Sequence, residues 1–195
     1  FPLLGAYNVE NALAAAAVAV AAGIPVADVA GRLSTVPQVK GRLEVVHAGE
    51  FTVLIDFAHT PDALTNALEA LRAVTPGRLI VLFGAGGDRD RMKRKPMAEA
   101  VRRAADVVVL TSDNPRTEDP EAILDDLATG LPNGPDHRDA DRRAAIAWAL
   151  GQARPGDTVL LAGKGHETYQ VVGTEKRPFD ERQVVRDAMA ALEGA

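Results

Sequence analysis

Hydrophobic positions along this chain change their period several times, and each change predicts an element. Residues 12–22 are mostly alanine. They predict a helix that Asn8 caps and Gly23 stops. Alanine on every face predicts that this helix packs closely on its neighbours. A second short helix is expected over 26–33, ended by the break at Pro37. The segment V-K-G-R-L-E, 39–44, leads into a strand pair, 43–47 and 51–56, with the turn at 48–50.

Strands and helices then alternate. Helices are expected over 61–73, 94–104, 120–129, 141–153 and about 181–192, with strands over 79–83, 107–110 and 158–162. The stretch after 129 is rich in Gly, Pro and Asp and reads as a loop. V-V-V-L and T-V-L-L-A are uniformly apolar, as expected for strands covered on both faces. The alternation predicts a three-layer α/β domain with a mostly parallel sheet. The expected boundary lies near 40–44, where the Ala-rich helical piece gives way to this pattern. There is no internal repeat.

Composition adds exclusions. The 195 residues are 47% hydrophobic and 25% charged, which suits a folded domain, or one domain plus a piece of another. A net charge of -5 argues against a basic nucleic-acid surface. The absence of cysteine excludes disulfides, thiolate catalysis and Cys-ligated metal, and fits a cytoplasmic protein. No basic segment precedes an apolar run, so no signal peptide is expected, and 12–22 is too short to insert across a bilayer. A chain that opens at Phe1 suggests processing, truncation or a fragment.

Candidate chemistry gathers where strands end. The four loops are D-F-A-H-T-P-D (56–62), G-A-G-G-D-R-D-R (84–91), T-S-D-N-P-R (111–116) and G-K-G-H-E (163–167). In an open parallel sheet, ligands bind beyond the carboxyl ends of the strands. Pro115 stiffens the loop carrying Arg116, whose fork suits a carboxylate or phosphate. The bland alternative is a surface ion pair with Glu118 or Asp119. Asp113 and Asn114 are expected to hold that turn through the local backbone. Gly163 and Gly165 permit close backbone approach to a ligand, and Glu167 offers an acceptor for an ammonium group. Lys164 and His166 either meet the ligand or face water. Arg89 adds a second cation. Two arginines and one carboxylate form a clamp suited to a zwitterion such as an amino acid.

Other motifs are missing. Arg89 stands where G-x-G-x-x-G needs glycine, and no G-x-x-x-x-G-K-[ST], H-E-x-x-H or G-x-S-x-G occurs. His47, His59, His137 and His166 have no metal-ligand spacing, so no metal site is expected in this chain. His59 reads equally well as a capped turn residue.

Six motifs in order carry a resemblance: Y-N-x-x-N-A-L-A-A (7–15), G-R-L-E (41–44), D-F-A-H-T-P-D-A-L (56–64), F-G-A-G-G-D-R-D-R-x-K-R (83–94), D-N-P-R-T-E (113–118) and G-K-G-H-E (163–167). Across essentially its whole length the chain resembles the C-terminal part of the Mur ligase family, in its diaminopimelate-adding branch. The resemblance implies that 1–41 are the last helices of a central ATPase domain and that 42–195 form a Rossmann-like C-terminal domain. It implies an ATP- and Mg2+-dependent ligase of peptidoglycan synthesis. Such an enzyme joins meso-diaminopimelate to UDP-N-acetylmuramoyl-L-Ala-D-Glu through an acyl phosphate. By motif position, Arg89, Asp113, Asn114, Pro115, Arg116, Gly163 and Glu167 would meet diaminopimelate, and Asn8, Arg42 and Asp56 the nucleotide. Phe57 stands where the family commonly has Tyr. The family's UDP-binding domain, P-loop and carbamylated lysine are not in this sequence, so the chain alone is expected to be inactive, and a monomer. Two alternatives stand beside this: a folylpolyglutamate synthetase-like ligase, and a non-catalytic α/β module binding anions or nucleotides.

Overall fold

Strands rich in Val, Leu and Ile make the centre of the fold, as seen in a computed structural model that describes residues 1–194. Six strands form one sheet: β1 (Glu44–Ala48), β2 (Thr52–Asp56), β3 (Leu79–Phe83), β4 (Val107–Thr111), β5 (His137–Asp139) and β6 (Thr158–Ala162). Their spatial order is β1-β2-β6-β3-β4-β5. All neighbours pair in parallel except β1, which runs antiparallel to β2 at one edge. Every residue of β3 and β6 is buried, as uniformly apolar strands require.

Alternate strand residues serve opposite layers. On one face Leu54, Val81, Phe83, Val108 and Leu160 pack against α3 (Pro61–Arg72), α4 (Arg94–Ala104) and α5 (Pro120–Ala128). On the other, Val53, Ile55, Leu82, Val109 and Leu161 meet α6 (Arg142–Gln152) and α7 (Glu181–Glu193). Helix starts follow local chemistry. Thr60, Asp119, Asp141 and Asp180 each accept a backbone N–H in the first turn, and Pro61 and Pro120 occupy a first-turn position. The three-layer, mostly parallel arrangement is the expected one. Among the described residues, no helix is long and apolar enough to cross a membrane.

Several expectations fail for local reasons. The first helix, α1 (Ala6–Ala21), begins before Asn8 and is capped by Gly5. Asn8 sits inside it and donates its side-chain amide to Leu4 O at 2.6 Å. Nor does α1 pack closely: it has no buried residue, and Val9, Leu13, Val18 and Val20 are exposed. Among the described residues it packs mainly on α2 (Val26–Ser34). Leu43 is not in a strand; it is buried with φ 43°, just before β1. The polar triplet β5 lies in the stretch read as loop. A hairpin of β7 (Tyr169–Val172) and β8 (Glu175–Pro178) was also unforeseen. Its strands lack an apolar alternation, and only Gly173 (φ 60°) at the turn signals it.

Candidate functional site

The sheet order brings β2, β6, β3 and β4 side by side, so the four motif loops meet at one edge. Glycine sets how closely they meet. A Cβ on Gly84 would lie 2.1 Å from Thr111 O, and one on Gly87 would lie 1.9 Å from Pro115 O. The 84–91 loop therefore rests directly on the D-N-P-R backbone, and Gly87 N donates to Asn114 O at 2.9 Å.

Arg116 has φ 51°, a left-handed conformation that costs a non-glycine residue about 1–3 kcal/mol. The β7–β8 hairpin holds it there. Arg116 N donates to Val171 O at 3.0 Å, and Gly173 N donates to Arg116 O at 2.7 Å. Its guanidinium donates to Gly87 O at 2.8 Å. The ion pair with Glu118 or Asp119 does not form; Glu118 is taken by the buried Arg94 at 2.8 Å. Among the described residues Arg116 pairs with no carboxylate. Arg89 is exposed, and its stem and the Arg116 guanidinium lie 3.6 and 2.9 Å from the point where a Gly86 Cβ would sit. Both arginines thus border one glycine.

Asp113 and Asn114 do not hold their own turn, because donors remote in sequence, the Lys164 ammonium and Val171 N–H, claim their side-chain oxygens. Asp113 Oδ1 accepts from Lys164 at 3.3 Å. Asn114 Oδ1 accepts from Lys164 at 3.0 Å and from Val171 N at 2.9 Å, while its Nδ2 donates to Glu167 Oε2 at 2.9 Å. Lys164 is neither in water nor open to a ligand; its side chain is fully buried. His166 is exposed. Gly163 (φ 115°) is buried, and a Cβ there would lie 3.7 Å from the Asp113 carboxyl carbon, an ordinary contact. Gly165 (φ 54°) instead packs on Phe57, 2.6 Å from its Cβ were it alanine, so this glycine serves packing rather than ligand approach.

A second cluster involves the other three candidates. Asn8, Arg42 and Tyr7 line a cleft of about 270 Å³, and Arg42, Tyr7 and Asp56 line an adjoining one of about 180 Å³. Arg42 is exposed and lies 5.2 Å over the Phe57 ring. Asp56 is buried and accepts from Leu43 N at 2.7 Å and Ala58 N at 2.8 Å. Burial pushes its carboxyl up, against those two donors and Arg42. This half of the site suits an anionic, ring-bearing ligand. His59 Nδ1 bonds Phe57 O at 2.8 Å, a local turn contact, one of the two readings open for it.

Sequence reasoning passed over several groups. Lys93 donates to His59 O at 2.9 Å between the two clusters, and burial lowers its pKa against the pull of Asp113 and Asp90. Beneath the loops, fully buried Arg142 pairs with Glu181 and donates to Ser112 O (3.1 Å) and Ala162 O (2.9 Å). These carbonyls follow β4 and end β6, so the pair ties both strand ends together. Arg142 lies in the first turn of a helix and gives no motif signal. Among the described residues no group of three or more His, Cys, Asp or Glu could hold a metal ion.

Comparison with known proteins gives this geometry relatives. The UDP-N-acetylmuramoyl-L-alanyl-D-glutamate–2,6-diaminopimelate ligase of Thermosynechococcus vestitus is 50% identical over 194 residues, covering 96% of this chain and 39% of the relative. A solved structure with that same enzyme name is 42% identical, with a TM-score of 0.78 over 98% of this chain and 40% of that one. A Mycobacterium tuberculosis folylpolyglutamate synthase complexed with ADP is 26% identical, with a TM-score of 0.68 over 84% of this chain and 38% of its own. The chain thus spans about two fifths of the length of the relatives it matches. The family model described as Mur ligase, glutamate ligase domain, matches residues 41–165. With that match over more than half its length, the chain belongs to the Mur ligase family.

Proposed function

We propose that this chain is the amino-acid-binding part of an ATP-dependent ligase that adds meso-diaminopimelate to UDP-N-acetylmuramoyl-L-Ala-D-Glu. One observation carries the reading: Arg116 is held in a left-handed conformation, its guanidinium steadied by Gly87 O but facing no carboxylate among the described residues, across the loops from a half-buried Glu167. Diaminopimelate has an amino-acid group at each end. Its distal carboxylate would meet Arg116, supported by Arg89, and its distal ammonium would meet Glu167, beside Asp113, Asn114 and Gly163. The other amine stays outside the clamp, free to attack an acyl phosphate. Pro115 serves by being buried and stiff. Lysine lacks the distal carboxylate and leaves the arginine unmatched. A site built around such a group rejects an analogue lacking it by about 10⁴-fold or more. The folylpolyglutamate alternative shares the fold, but nothing in the clamp favours it.

Asn8, Arg42 and Asp56 are assigned to ATP, because the two clefts they border share Arg42 and lie beside the Phe57 ring. ATP supplies the phosphoryl group that activates the acceptor carboxylate. Mg2+ is assigned to its phosphates and to protein beyond this chain. Residues 1–41 are assigned to the central domain and 42–195 to the C-terminal one; the exposed apolar face of α1 supports that division.

The test is an NMR titration of the isotope-labelled chain with meso-diaminopimelate and, in parallel, L-lysine. Shifts at 89, 113–116 and 163–167 with diaminopimelate alone are expected, and Arg116→Ala is expected to abolish them. Equal responses to both ligands would refute the substrate.

A further inference from the structure

We propose that Lys164 is the positioning residue of this clamp: its buried ammonium fixes the orientation of Asn114 and pins one oxygen of Glu167, so that the other oxygen faces an incoming ammonium group. The inference rests on the diaminopimelate reading for its ligand, but not for its geometry.

A lysine ammonium has three N–H donors, and here each has an acceptor. They are Asp113 Oδ1 at 3.3 Å, Asn114 Oδ1 at 3.0 Å and Glu167 Oε2 at 3.4 Å. The side chain is 0% exposed. Burying a charge this deeply is costly unless it is paired, and an apolar side chain of similar volume would serve packing alone as well or better. The three partners are all candidates for the amino-acid site and come from two different strand ends.

Asn114 shows what the charge does. A side-chain amide can be turned either way, and its two ends are chemically opposite. Lys164 can only donate, so it selects the oxygen. Val171 N, also a donor, selects the same end. That leaves Nδ2 toward Glu167 Oε2. With Oε2 held by two donors, Oε1 has no hydrogen-bond partner among the described residues. Asp113 likewise gives one oxygen to Lys164. The three charges sum to one negative, the complement of one ammonium. The surrounding charges are Lys93, which acts on Asp113, and Glu181, which is paired with Arg142 and acts on Lys164.

The test has one arm without ligand and one with it. In the first, the side-chain amide of Asn114 and the backbone amide of Val171 are followed by NMR in the isotope-labelled chain. Lys164→Met is expected to abolish the slow solvent exchange of both while Leu82 in β3 stays protected. Glu167→Gln, at a half-buried position, is expected to keep Asn114 ordered. An Asn114 signal unchanged by Lys164→Met, or lost in Glu167→Gln, would overturn the proposal. If Lys164→Met does not fold, Glu167→Gln still decides, and Lys164→Arg, which keeps the charge, is expected to keep Asn114 protected.

In the second arm, affinities for meso-diaminopimelate and pimelate are compared. Pimelate has the same two carboxylates and no ammonium. The wild-type chain is expected to prefer diaminopimelate by roughly tenfold to hundredfold, the span of one hydrogen-bonded charge. In Lys164→Met that ratio is expected to fall toward one. A purely structural lysine weakens both ligands alike and leaves the ratio unchanged. A purely Coulombic role raises it, since the cluster becomes more negative. Either result would overturn the positioning role. A wild-type chain that binds no diaminopimelate refutes the substrate reading, and the Asn114 signals still decide Lys164.

Discussion

Replacing Gly87 with alanine tests whether the two loops bearing the arginines act as one body. The added methyl would sit 1.9 Å from Pro115 O and 2.7 Å from Pro115 C. A carbon–oxygen contact settles at about 3.3 Å, so the loops must part by about 1.4 Å. Backbone faces the methyl, so no side chain can rotate away to relieve it. Two hydrogen bonds run through this residue: Gly87 N to Asn114 O, and Arg116 Nη1 to Gly87 O. Parting the loops breaks both and moves the guanidinium by a similar distance. A misplacement of about 1 Å commonly costs about 100-fold in the function of a positioned group. Overpacking of a tight contact costs about 1–3 kcal/mol of stability. The expected outcome is therefore a roughly 100-fold weaker meso-diaminopimelate Kd by NMR titration, with a thermal midpoint lowered by several degrees and the sheet's amide signals unmoved. A Gly87→Ala chain that binds as tightly as wild type, with the same midpoint, would show that the loops are not rigidly coupled and that the clamp geometry does not depend on their contact.

Three other outcomes are expected. Arg142→Met strands Glu181 in the interior and frees the Ser112 and Ala162 carbonyls, and should cost about 3–5 kcal/mol in urea unfolding; adding Glu181→Gln should restore part of that, and no restoration would place the loss elsewhere. Asp157 is pushed up by burial but more strongly down by the Arg78 side chain and the Arg78 and Arg154 amides, so its net pKa is lowered. A carboxyl lowered in the folded state contributes stability above its unfolded value, lost as the pH falls through the folded one. Unfolding free energy should therefore fall from about pH 5 to about pH 2, and Asp157→Asn should start lower at neutral pH and fall less steeply. Gly165→Ala forces a side chain into φ 54° against Phe57. It should weaken ATP binding more than diaminopimelate binding; equal effects would sever Phe57 from the nucleotide side.

Much of the fold was legible because its central strands are almost wholly apolar and alternate with helical stretches. The convergence of four motif loops followed from parallel topology alone. What escaped was decided by partners remote in sequence. Lys164 reads as an ordinary loop lysine until Asp113, 51 residues away, is beside it. Arg142 and Glu181 each open a helix, and only their mutual burial distinguishes them. The β7–β8 hairpin has an exposed second strand, Glu-Lys-Arg-Pro, so hydrophobic period could not reveal it. Its purpose is visible only in its backbone bonds to Arg116. The alanine helix departs in the opposite sense: its sequence suits close packing, yet α1 has no buried residue.

The place of β6 in the sheet governs how this chain can be made. It is the last strand of the sheet to leave a ribosome, yet it lies between β2 and β3. Until residue 158 emerges, β1 and β2 form one ribbon and β3, β4 and β5 another, with no strand to join them. Each ribbon then presents an apolar, unpaired edge, the kind that invites pairing with another chain. Insertion of β6 closes both edges in a single event and joins segments about a hundred residues apart, a slow class of contact to form. Nascent chains halted before β6 should therefore be the ones that chaperones hold and that aggregate, whereas chains halted just after it already contain the whole sheet.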